Sequence, residues 1–375
     1  MKFIASQKRF IIFPIIFLLF YTFTAAVPLG SDIYFMPVWI RDLTPGTMQQ
    51  DTEETPDETT ASGHAEVSLS EGKAPQYFLT DTHFGYFTAE GELLRSTPIT
   101  KRVSASRTAW TEYPETAVNT PVYRPDGSLV TTIDEAGFVH IEHDRFYLFE
   151  PGGSAVKQYD SSGKVLWRYV HTAPITAFHS SAQGSVIGFS DGKLVCLNSA
   201  GTVLFEFYPG GSNYQVILAA ALSENGRFIV CVCGIEQQRV LLIRVDETKY
   251  KIVHHRYLEG NLRRQAFAGF NNEGKYAVFE CAEGMGLIDC RNRQSVIIPQ
   301  QERILGIGKQ PYKDIIAVMS QKEQTASLSF IEAPLYTIGK TSFPAQNIFL
   351  LQEHETLFLA ADTKLARIDI KGILK

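Results

Sequence analysis

Short runs of alternating apolar residues, broken by turn residues, recur along the chain from about residue 74 onward. Alternation with a period of two predicts β-strands, and Asp191-Gly192 between two such runs predicts a tight hairpin turn. The clearest unit, Ile175–Pro209, divides into four predicted strands: Ile175–His179, Ser185–Ser190, Lys193–Asn198 and Thr202–Tyr208. This unit is therefore predicted to be a small antiparallel sheet.

Similar units recur about every 43 residues, which is the spacing of four-stranded propeller blades. A blade cannot bury both of its faces alone, whereas blades arranged in a ring bury one another and leave few free strand edges. The sequence thus predicts an all-β, seven-bladed β-propeller over residues 74–375, with six or eight blades as alternatives. The seven units are Gln76–Ser96, Val122–Val170, Ile175–Pro209, Val216–Tyr257, Arg264–Ile298, Ile304–Ser342 and Ala345–Lys375.

Two of the units share a sharper motif. Residues 159–167 read YDSSGKVLW and residues 197–205 read LNSAGTVLF. Asp or Asn begins the turn and Gly takes its left-handed position, after which Trp167 and Phe205 are expected to wedge between neighbouring blades. The motif resembles the outer-strand repeat of the pyrroloquinoline-quinone-type, WD40-like β-propeller superfamily. That superfamily includes quinone-dependent dehydrogenases and non-enzymatic scaffolds such as the outer-membrane-assembly propeller lipoprotein.

Residue patterns typical of catalysis are missing from the sequence. It has no G-x-S-x-G elbow, no H-E-x-x-H pair and no glycine-rich phosphate loop. It also lacks the vicinal Cys pair that many quinone enzymes carry near their cofactor. The resemblance therefore favours a non-enzymatic protein-interaction scaffold without a cofactor. A quinoprotein-type oxidoreductase with its cofactor over the channel, and a glycan- or peptide-binding propeller, remain the alternatives.

The segment from His140 to Asp144 is the densest group of metal-ligand residue types. On a strand His140, Glu142 and Asp144 would share one face. Their successive side chains would be about 7 Å apart, which is too far for one ion without help from another segment. A solvated outer strand is the favoured interpretation, and no metal site is predicted.

The N-terminal residues predict attachment to a membrane. The stretch Phe10–Leu29 is uncharged and long enough to cross a bilayer, and Lys2, Lys8 and Arg9 precede it. Residues 1–30 are therefore predicted to be a signal-anchor helix or a cleaved signal peptide. The rest of the chain would lie at the periplasmic face of the bacterial cytoplasmic membrane, or be periplasmic or secreted after cleavage.

Residues 31–73 are predicted to join the membrane segment to the propeller. The aromatic stretch Ser31–Leu43 would lie at headgroup level, or would form an ordinary strand or loop that packs on the domain. The stretch Thr44–Gly63 has five acidic residues and no Lys or Arg, which predicts an acidic flexible linker.

The longest irregular connection within the predicted propeller is Ser96–Thr120. It contains Arg107, Trp110 and Tyr113, which are residue types common at binding hot spots. We interpret it as a partner-binding loop, with a disordered insertion or an undetected strand as the alternatives. The net charge of −5 includes five acidic residues in the linker, so the propeller lacks the basic footprint of a nucleic-acid binder. Other envelope proteins are the expected partners.

Overall fold

The computed structural model describes residues 33–44, 75–115, 117–142, 144–247, 249–271, 274–332 and 336–372. These ranges contain 31 β-strands and no α-helix. A helix long and apolar enough to cross a membrane does not occur in them. The predicted N-terminal helix, residues 1–30, lies outside the described residues, as does almost all of the predicted linker. The predicted all-β class is confirmed for the described residues, whereas the N-terminal helix that was part of the prediction is not supported.

The chain divides into two compact units. The larger unit covers residues 37–368. The smaller one covers residues 1–36 and 369–375, of which residues 33–36 and 369–372 are described and are strand. All residues that line the channel described below belong to the larger unit.

The strands form eight sheets, called blades 1–8 in chain order, and neighbouring strands in blades 1–7 are antiparallel. The first strand on the chain is β1 (Ile33–Asp42). Blade 1 has β2 (Gln76–Leu79), β3 (His83–Phe87) and β4 (Leu93–Pro98). Blade 2 has β5 (Arg102–Ala105), β6 (Trp110–Tyr113), β7 (Thr120–Tyr123) and β8 (Leu129–Ile133). Blade 3 has β9 (Phe138–Glu142), β10 (Arg145–Phe149), β11 (Ala155–Tyr159) and β12 (Val165–Val170).

Blade 4 has β13 (Ile175–Ser181), β14 (Gly184–Phe189), β15 (Leu194–Asn198) and β16 (Val203–Phe207). Blade 5 has β17 (Tyr214–Leu222), β18 (Phe228–Ile235), β19 (Arg239–Asp246) and β20 (Lys249–Tyr257). Blade 6 has β21 (Ala268–Phe270), β22 (Tyr276–Cys281), β23 (Gly284–Asp289) and β24 (Gln294–Pro299). Blade 7 has β25 (Arg303–Ile307), β26 (Ile315–Lys322), β27 (Thr325–Glu332) and β28 (Tyr336–Pro344). Blade 8 has β29 (Ile348–Glu353), β30 (Thr356–Ala361), β31 (Lys364–Gly372) and β1.

The propeller has eight blades, so the prediction of seven is wrong. The predicted loop Ser96–Thr120 contains β5 and β6, which form blade 2 together with β7 and β8. The predicted unit Val122–Val170 therefore combined half of blade 2 with the whole of blade 3. The strands β5 and β6 have four residues each, and their polar residues hide the alternation that a period-two search detects.

The ring closes with a strand from the N-terminal part of the chain. The strand β1 is the fourth strand of blade 8, beside β31. The Leu43 N–H group donates to the Thr363 carbonyl at 2.7 Å, which holds the end of β1 next to the start of β31. On the inner side, β2 of blade 1 contacts both β5 of blade 2 and β29 of blade 8. Most of the predicted juxtamembrane stretch is thus a blade strand, the alternative interpretation of Ser31–Leu43.

The repeated motif packs neighbouring blades against each other, as the sequence predicts. Trp167 is buried and lies against the backbone of Gly201 in the next blade. Phe205 stacks on Tyr250 of blade 5 with the ring centroids 4.5 Å apart. Gly201 has φ +79°, and a Cβ atom there would lie 2.2 Å from Trp167 Cγ. The glycine of the motif therefore serves both the turn and the close approach of the indole ring.

Replacing Gly201 with Ala is expected to lower the free energy of unfolding by about 3 kcal/mol, because backbone strain adds to the clash with Trp167. Gly210→Ala is the matched control, since Gly210 has φ +69° and nothing lies within 4 Å of the added Cβ. The control is expected to cost about 1 kcal/mol, from the backbone alone. Urea unfolding measures both values, and equal losses would show that the contact with Trp167 adds nothing.

Candidate functional site

The first strands of the blades surround a channel that contains two cavities. Their volumes are about 700 and 570 Å³. The first cavity is bordered mainly by β2, β5, β9 and β29 and by the segments that follow β5, β9 and β25. The second is bordered by β21, β25 and β29 and by nearby residues of other blades. Four residues border both cavities and mark the passage between them: Glu142, Ile307, Lys309 and Leu350.

The first cavity is acidic. Its lining has four carboxylates and two cationic side chains, Arg107 and Lys309. The carboxylates come from the first strands of three blades or from the turns that follow those strands, and they belong to Glu142, Asp144, Glu224 and Glu353. A cavity with this charge balance favours water or an organic cation over an anionic ligand.

Glu142 lies at the end of β9 and links three blades. Its Oε2 atom accepts a hydrogen bond from the Ser180 N–H group at 2.8 Å. His140 Nε2 lies 3.7 Å from Oε2, and His179 Nε2 lies 3.7 Å from Oε1. His179 Nδ1 accepts a hydrogen bond from the Leu222 N–H group at 3.4 Å, so the proton of the neutral ring is on Nε2, the nitrogen nearest Glu142.

Burial alone would raise the pKa of Glu142, but the neighbouring His179 and His140 rings and Lys309 lower it to about 2. The carboxylate is therefore ionised at neutral pH although its side chain is only 16% exposed. Since the pKa is lower in the folded state, the resulting stabilisation is present above the ordinary value near 4.5 and is lost as the pH falls toward 2.

Replacing Glu142 with Gln is expected to lower the free energy of unfolding at pH 7 by about 2 kcal/mol. The glutamine still accepts a hydrogen bond from Ser180 but lacks the charge that His179, His140 and Lys309 stabilise. The difference from wild type should shrink as the pH falls from 5 to 3, in urea titrations at each pH. Glu115→Gln is the control, because Glu115 is exposed and paired with Arg102, and a loss independent of pH would contradict the electrostatic explanation.

Glu353 joins three blades at the closure of the ring. It ends β29 of blade 8, and its Oε2 atom accepts a hydrogen bond from Gln76 Nε2 of blade 1 at 2.9 Å. Its Oε1 atom accepts a hydrogen bond from Arg107 Nη2, from the turn after β5 of blade 2. These contacts let blade 8 hold blades 1 and 2 on the channel side, while β1 and β31 close the ring on its outer side.

The structure separates the three predicted partner contacts. Trp110 and Tyr113 are buried core residues of β6, and Trp110 stacks on Tyr123 with the ring centroids 4.8 Å apart. Arg107 alone has an exposed side chain, and it borders the first cavity. The prediction that these residues contact a partner remains a prediction, and a direct contact through Trp110 or Tyr113 would require the blade to open.

The cluster from His140 to Asp144 lies on the first strand of blade 3, so its interpretation as a solvated outer strand is wrong. His140, Glu142 and Asp144 all border the first cavity. His143 lies outside the described residues. The described ranges contain no group of three or more His, Cys, Asp or Glu residues that could hold a metal ion. His179, on a strand that the sequence predicts to be an inner one, is expected to be a hydrogen-bonded propeller histidine, but its contact with Glu142 could not be predicted. Sequence reasoning missed Lys309 and Glu353 altogether, because each belongs to a different repeat and only the ring brings these residues to the channel.

A second feature lies at the start of blade 5. Tyr208, Tyr214 and Tyr257 are half-exposed, at 50%, 61% and 52%. Arg239 lies at the same end of the blade, where it pairs with Tyr257 across the strands and donates to the carbonyl of Pro209, next to Tyr208. The Tyr208 hydroxyl donates to Asp191 Oδ2 of blade 4 at 3.4 Å. The nearby Ser212 hydroxyl donates to the Tyr214 carbonyl at 3.1 Å. We call Tyr208, Tyr214, Tyr257 and Arg239 the tyrosine rim.

The tyrosine rim and the first cavity lie at opposite ends of blade 5. Tyr214 begins β17, whereas Glu224, which borders the cavity, follows the end of that strand at Leu222. Nine extended residues span about 30 Å. The two features are therefore separate surfaces.

Comparison with known proteins agrees with the architecture. The sequence matches the family described as "beta-propeller protein" over residues 1–374. The chain belongs to this family. This beta-propeller protein is 47% identical over 373 residues to an uncharacterized protein of Treponema pallidum (strain Nichols), with 100% of this chain and 97% of the relative covered.

Two solved structures are similar in fold to this beta-propeller protein. The crystal structure of BamB from Moraxella catarrhalis has a TM-score of 0.58 at 10% identity, covering 90% of this chain and 100% of that chain. A chain in the crystal structure of a mitotic checkpoint complex has a TM-score of 0.53 at 13% identity, covering 85% and 99%. Identities this low show likeness of fold alone. They agree with the resemblance to pyrroloquinoline-quinone-type and WD40-like propellers that the sequence motif indicates.

Proposed function

We propose that this beta-propeller protein is an interaction scaffold of the bacterial cell envelope and binds another envelope protein through the tyrosine rim. The observation that carries the proposal is the grouping of three half-exposed tyrosines and one arginine at the same end of blade 5. Tyrosine and arginine are enriched at binding hot spots, because they bury a large area while keeping a polar group available for hydrogen bonds.

The local backbone supports a binding role for the rim. Arg239 is held by the Pro209 carbonyl, and Glu236 and Gln237 before it form a turn with φ +60° and +52°. Tyr214 begins β17 and Tyr257 ends β20, so the backbone positions of these two tyrosines are fixed before a partner arrives. A pre-ordered surface loses less conformational entropy on binding than a mobile loop does.

The location in the envelope is proposed from the sequence. The uncharged stretch Phe10–Leu29, with basic residues before it, is long enough to hold the chain in the cytoplasmic membrane, with the propeller on the periplasmic side. One of the two similar propellers belongs to a mitotic checkpoint complex, which supports the use of this fold as a platform for partners. The proposed partner is a membrane-associated or periplasmic protein.

Crosslinking in native membranes tests the interaction. We expect the variant Tyr208→Ser/Tyr214→Ser/Tyr257→Ser to lose a crosslinked partner that the wild-type chain retains. The matched control is Val118→Ser/Leu129→Ser, which removes exposed apolar side chains from blade 2. The proposal fails if the tyrosine variant and the control give the same crosslinked species as wild type.

Protease treatment tests the location separately. In spheroplasts, an added protease should reach the propeller, whereas a cytoplasmic marker should remain intact. Protection of the propeller until the membrane is dissolved would place it in the cytoplasm and would contradict the proposed location.

A further inference from the structure

A group of exposed cationic side chains lies at the outer edge of blades 5 and 6, away from the channel and from the tyrosine rim. Residues 244–251 and 291–293 contain five Lys or Arg residues and two carboxylates, although the whole chain carries a net charge of −5. All five cationic residues are exposed. We call this group the basic edge: Arg244, Lys249, Lys251, Arg291 and Arg293.

The geometry of blade 5 brings three of these residues together. β20 is the outermost strand of the blade, and Lys251 lies directly opposite Arg244 on β19. Lys249 lies opposite Asp246 at the turn between the two strands. Arg244 also pairs with Asp246 at 2.7 Å, so that carboxylate is shared among cations and offsets only part of their charge.

Blade 6 adds the other two arginines. The turn that contains Arg291 and Arg293 joins β23 to β24, the two outer strands of that blade. It lies against β20, because His254 Nε2 is 3.1 Å from the Ser295 hydroxyl. The cations therefore form one positive edge across two neighbouring blades, rather than charges scattered over the surface.

The cations of β20 lie on one face of blade 5. Tyr250 and Ile252 alternate with Lys249 and Lys251 and so lie on the opposite face, where the Tyr250 ring stacks on Phe205 of blade 4. The basic edge is therefore a charged surface, of the kind that meets the phosphates of anionic headgroups through its cations.

We propose that the basic edge docks the propeller onto the headgroups of anionic phospholipids. This inference rests on the proposed location beside a membrane, which would keep the blades near the lipid surface. Each cation near an anionic bilayer contributes about 1 kcal/mol, so three net charges correspond to a preference of about 100-fold for anionic over neutral lipid. The preference falls as salt screens the charges.

The test uses the full chain reconstituted into phosphatidylcholine vesicles, with or without phosphatidylglycerol at about 30%, enough anionic lipid to give the surface a negative potential. The exposed residue Gln294 beside the basic edge is replaced by Cys and labelled with a fluorophore, since the five natural cysteines are buried. Headgroup spin-labelled lipid quenches the fluorophore where the edge touches the bilayer. Ser161→Cys, in an exposed turn of blade 3, reports a remote surface.

We expect the label at position 294 to be quenched several-fold more in phosphatidylglycerol vesicles than in phosphatidylcholine alone, and the difference to vanish in about 0.5 M salt. The difference in quenching should be abolished in the triple variant Arg244→Gln/Lys249→Gln/Lys251→Gln. It should be retained in the control, which removes the same charge from other exposed positions: Arg124→Gln/Lys164→Gln/Lys313→Gln. The label at position 161 should respond to neither lipid.

Equal quenching in the two lipids would overturn the proposal. An equal loss of the lipid-dependent quenching in both triple variants would also overturn it. If soluble polyglutamate protects the label from quenching and the lipid composition has no effect on the quenching, the occupant is an acidic protein and the proposal is overturned. Flotation of the vesicles reports attachment of the chain independently. A chain that floats without lipid-dependent quenching leaves the proposed location intact and refutes only the docking edge, whereas a chain that does not float refutes the location.

Discussion

Replacing Arg264 with Met is expected to lower the free energy of unfolding by about 3 kcal/mol. Glu280 lies on β22 with its side chain 3% exposed, and Arg264 donates to both of its carboxylate oxygens, at 3.0 and 2.7 Å. Removing the guanidinium leaves this buried carboxylate without its counter-charge. The value is at the low end of the range for broken buried pairs, because the Arg264 side chain is 41% exposed.

Glu280 is important beyond this pair because it connects two blades. Its oxygens also accept hydrogen bonds from the Phe267 N–H group at 3.1 Å and, in blade 7, from the Ile304 N–H group at 3.3 Å. An unpaired charge at this position would therefore weaken the contact between blades 6 and 7 as well as blade 6 itself.

Urea unfolding at pH 7 measures the loss in Arg264→Met. Adding Glu280→Gln should recover part of the stability, because the glutamine is uncharged and still accepts a hydrogen bond. Lys101→Met is the control, since it breaks the more exposed pair with Glu112 and should cost less than about 1 kcal/mol. A double variant less stable than Arg264→Met would contradict the explanation by a buried charge.

The sequence predicts strand positions closely where the residues between two strands are typical of a tight turn. In blade 4 the predicted run Lys193–Asn198 corresponds to β15, Leu194–Asn198, and the turn at Asp191-Gly192 lies where it was predicted. The glycine has φ +87°, a conformation that few other residues adopt without strain. Turn chemistry is local, and for this reason it can be recognised without knowledge of the rest of the ring.

Blade number could not be predicted equally well, because it depends on the weakest strands. Strand β5 reads RVSA and β6 reads WTEY, so that neither contains two full cycles of apolar alternation. Both are stabilised by tertiary contacts: Trp110 of β6 packs on Phe84 of blade 1, and the Ser104 hydroxyl of β5 accepts a hydrogen bond from the Ile141 N–H group of blade 3 at 2.8 Å. Contacts with neighbouring blades override a weak local pattern.

The channel residues show a similar limit. The spacing of His140 and Glu142 correctly indicates that both lie on one face of a strand, and they share the first cavity. It does not reveal that β9 is the innermost strand of its sheet. His179 reaches Glu142 only because β13 follows β9 around the ring, and no spacing within a single repeat predicts that contact.

Replacing Trp39 with Ala is expected to lower the free energy of unfolding by about 3 kcal/mol, the low end for removal of a packed tryptophan because Trp39 is only partly buried. Its ring centroid lies 6.2 Å from that of Phe87 in blade 1 and 6.1 Å from that of Phe358 in blade 8. Its Nε1 atom donates to the Ala89 carbonyl at 3.2 Å. The side chain thus joins β1 to the two blades that meet where the ring closes.

Ile40→Ala separates packing in the ring from contact with lipid. Ile40 is the next residue of β1 and is 61% exposed, so its truncation should change the stability by less than about 0.5 kcal/mol. The comparison also tests in solution the place of Trp39 in the ring. If Trp39 closes the ring, Trp39→Ala lowers the urea midpoint of the detergent-solubilised full chain, in the absence of any bilayer. If Trp39 instead rested at headgroup level, its replacement would leave that midpoint unchanged and weaken only the attachment to vesicles.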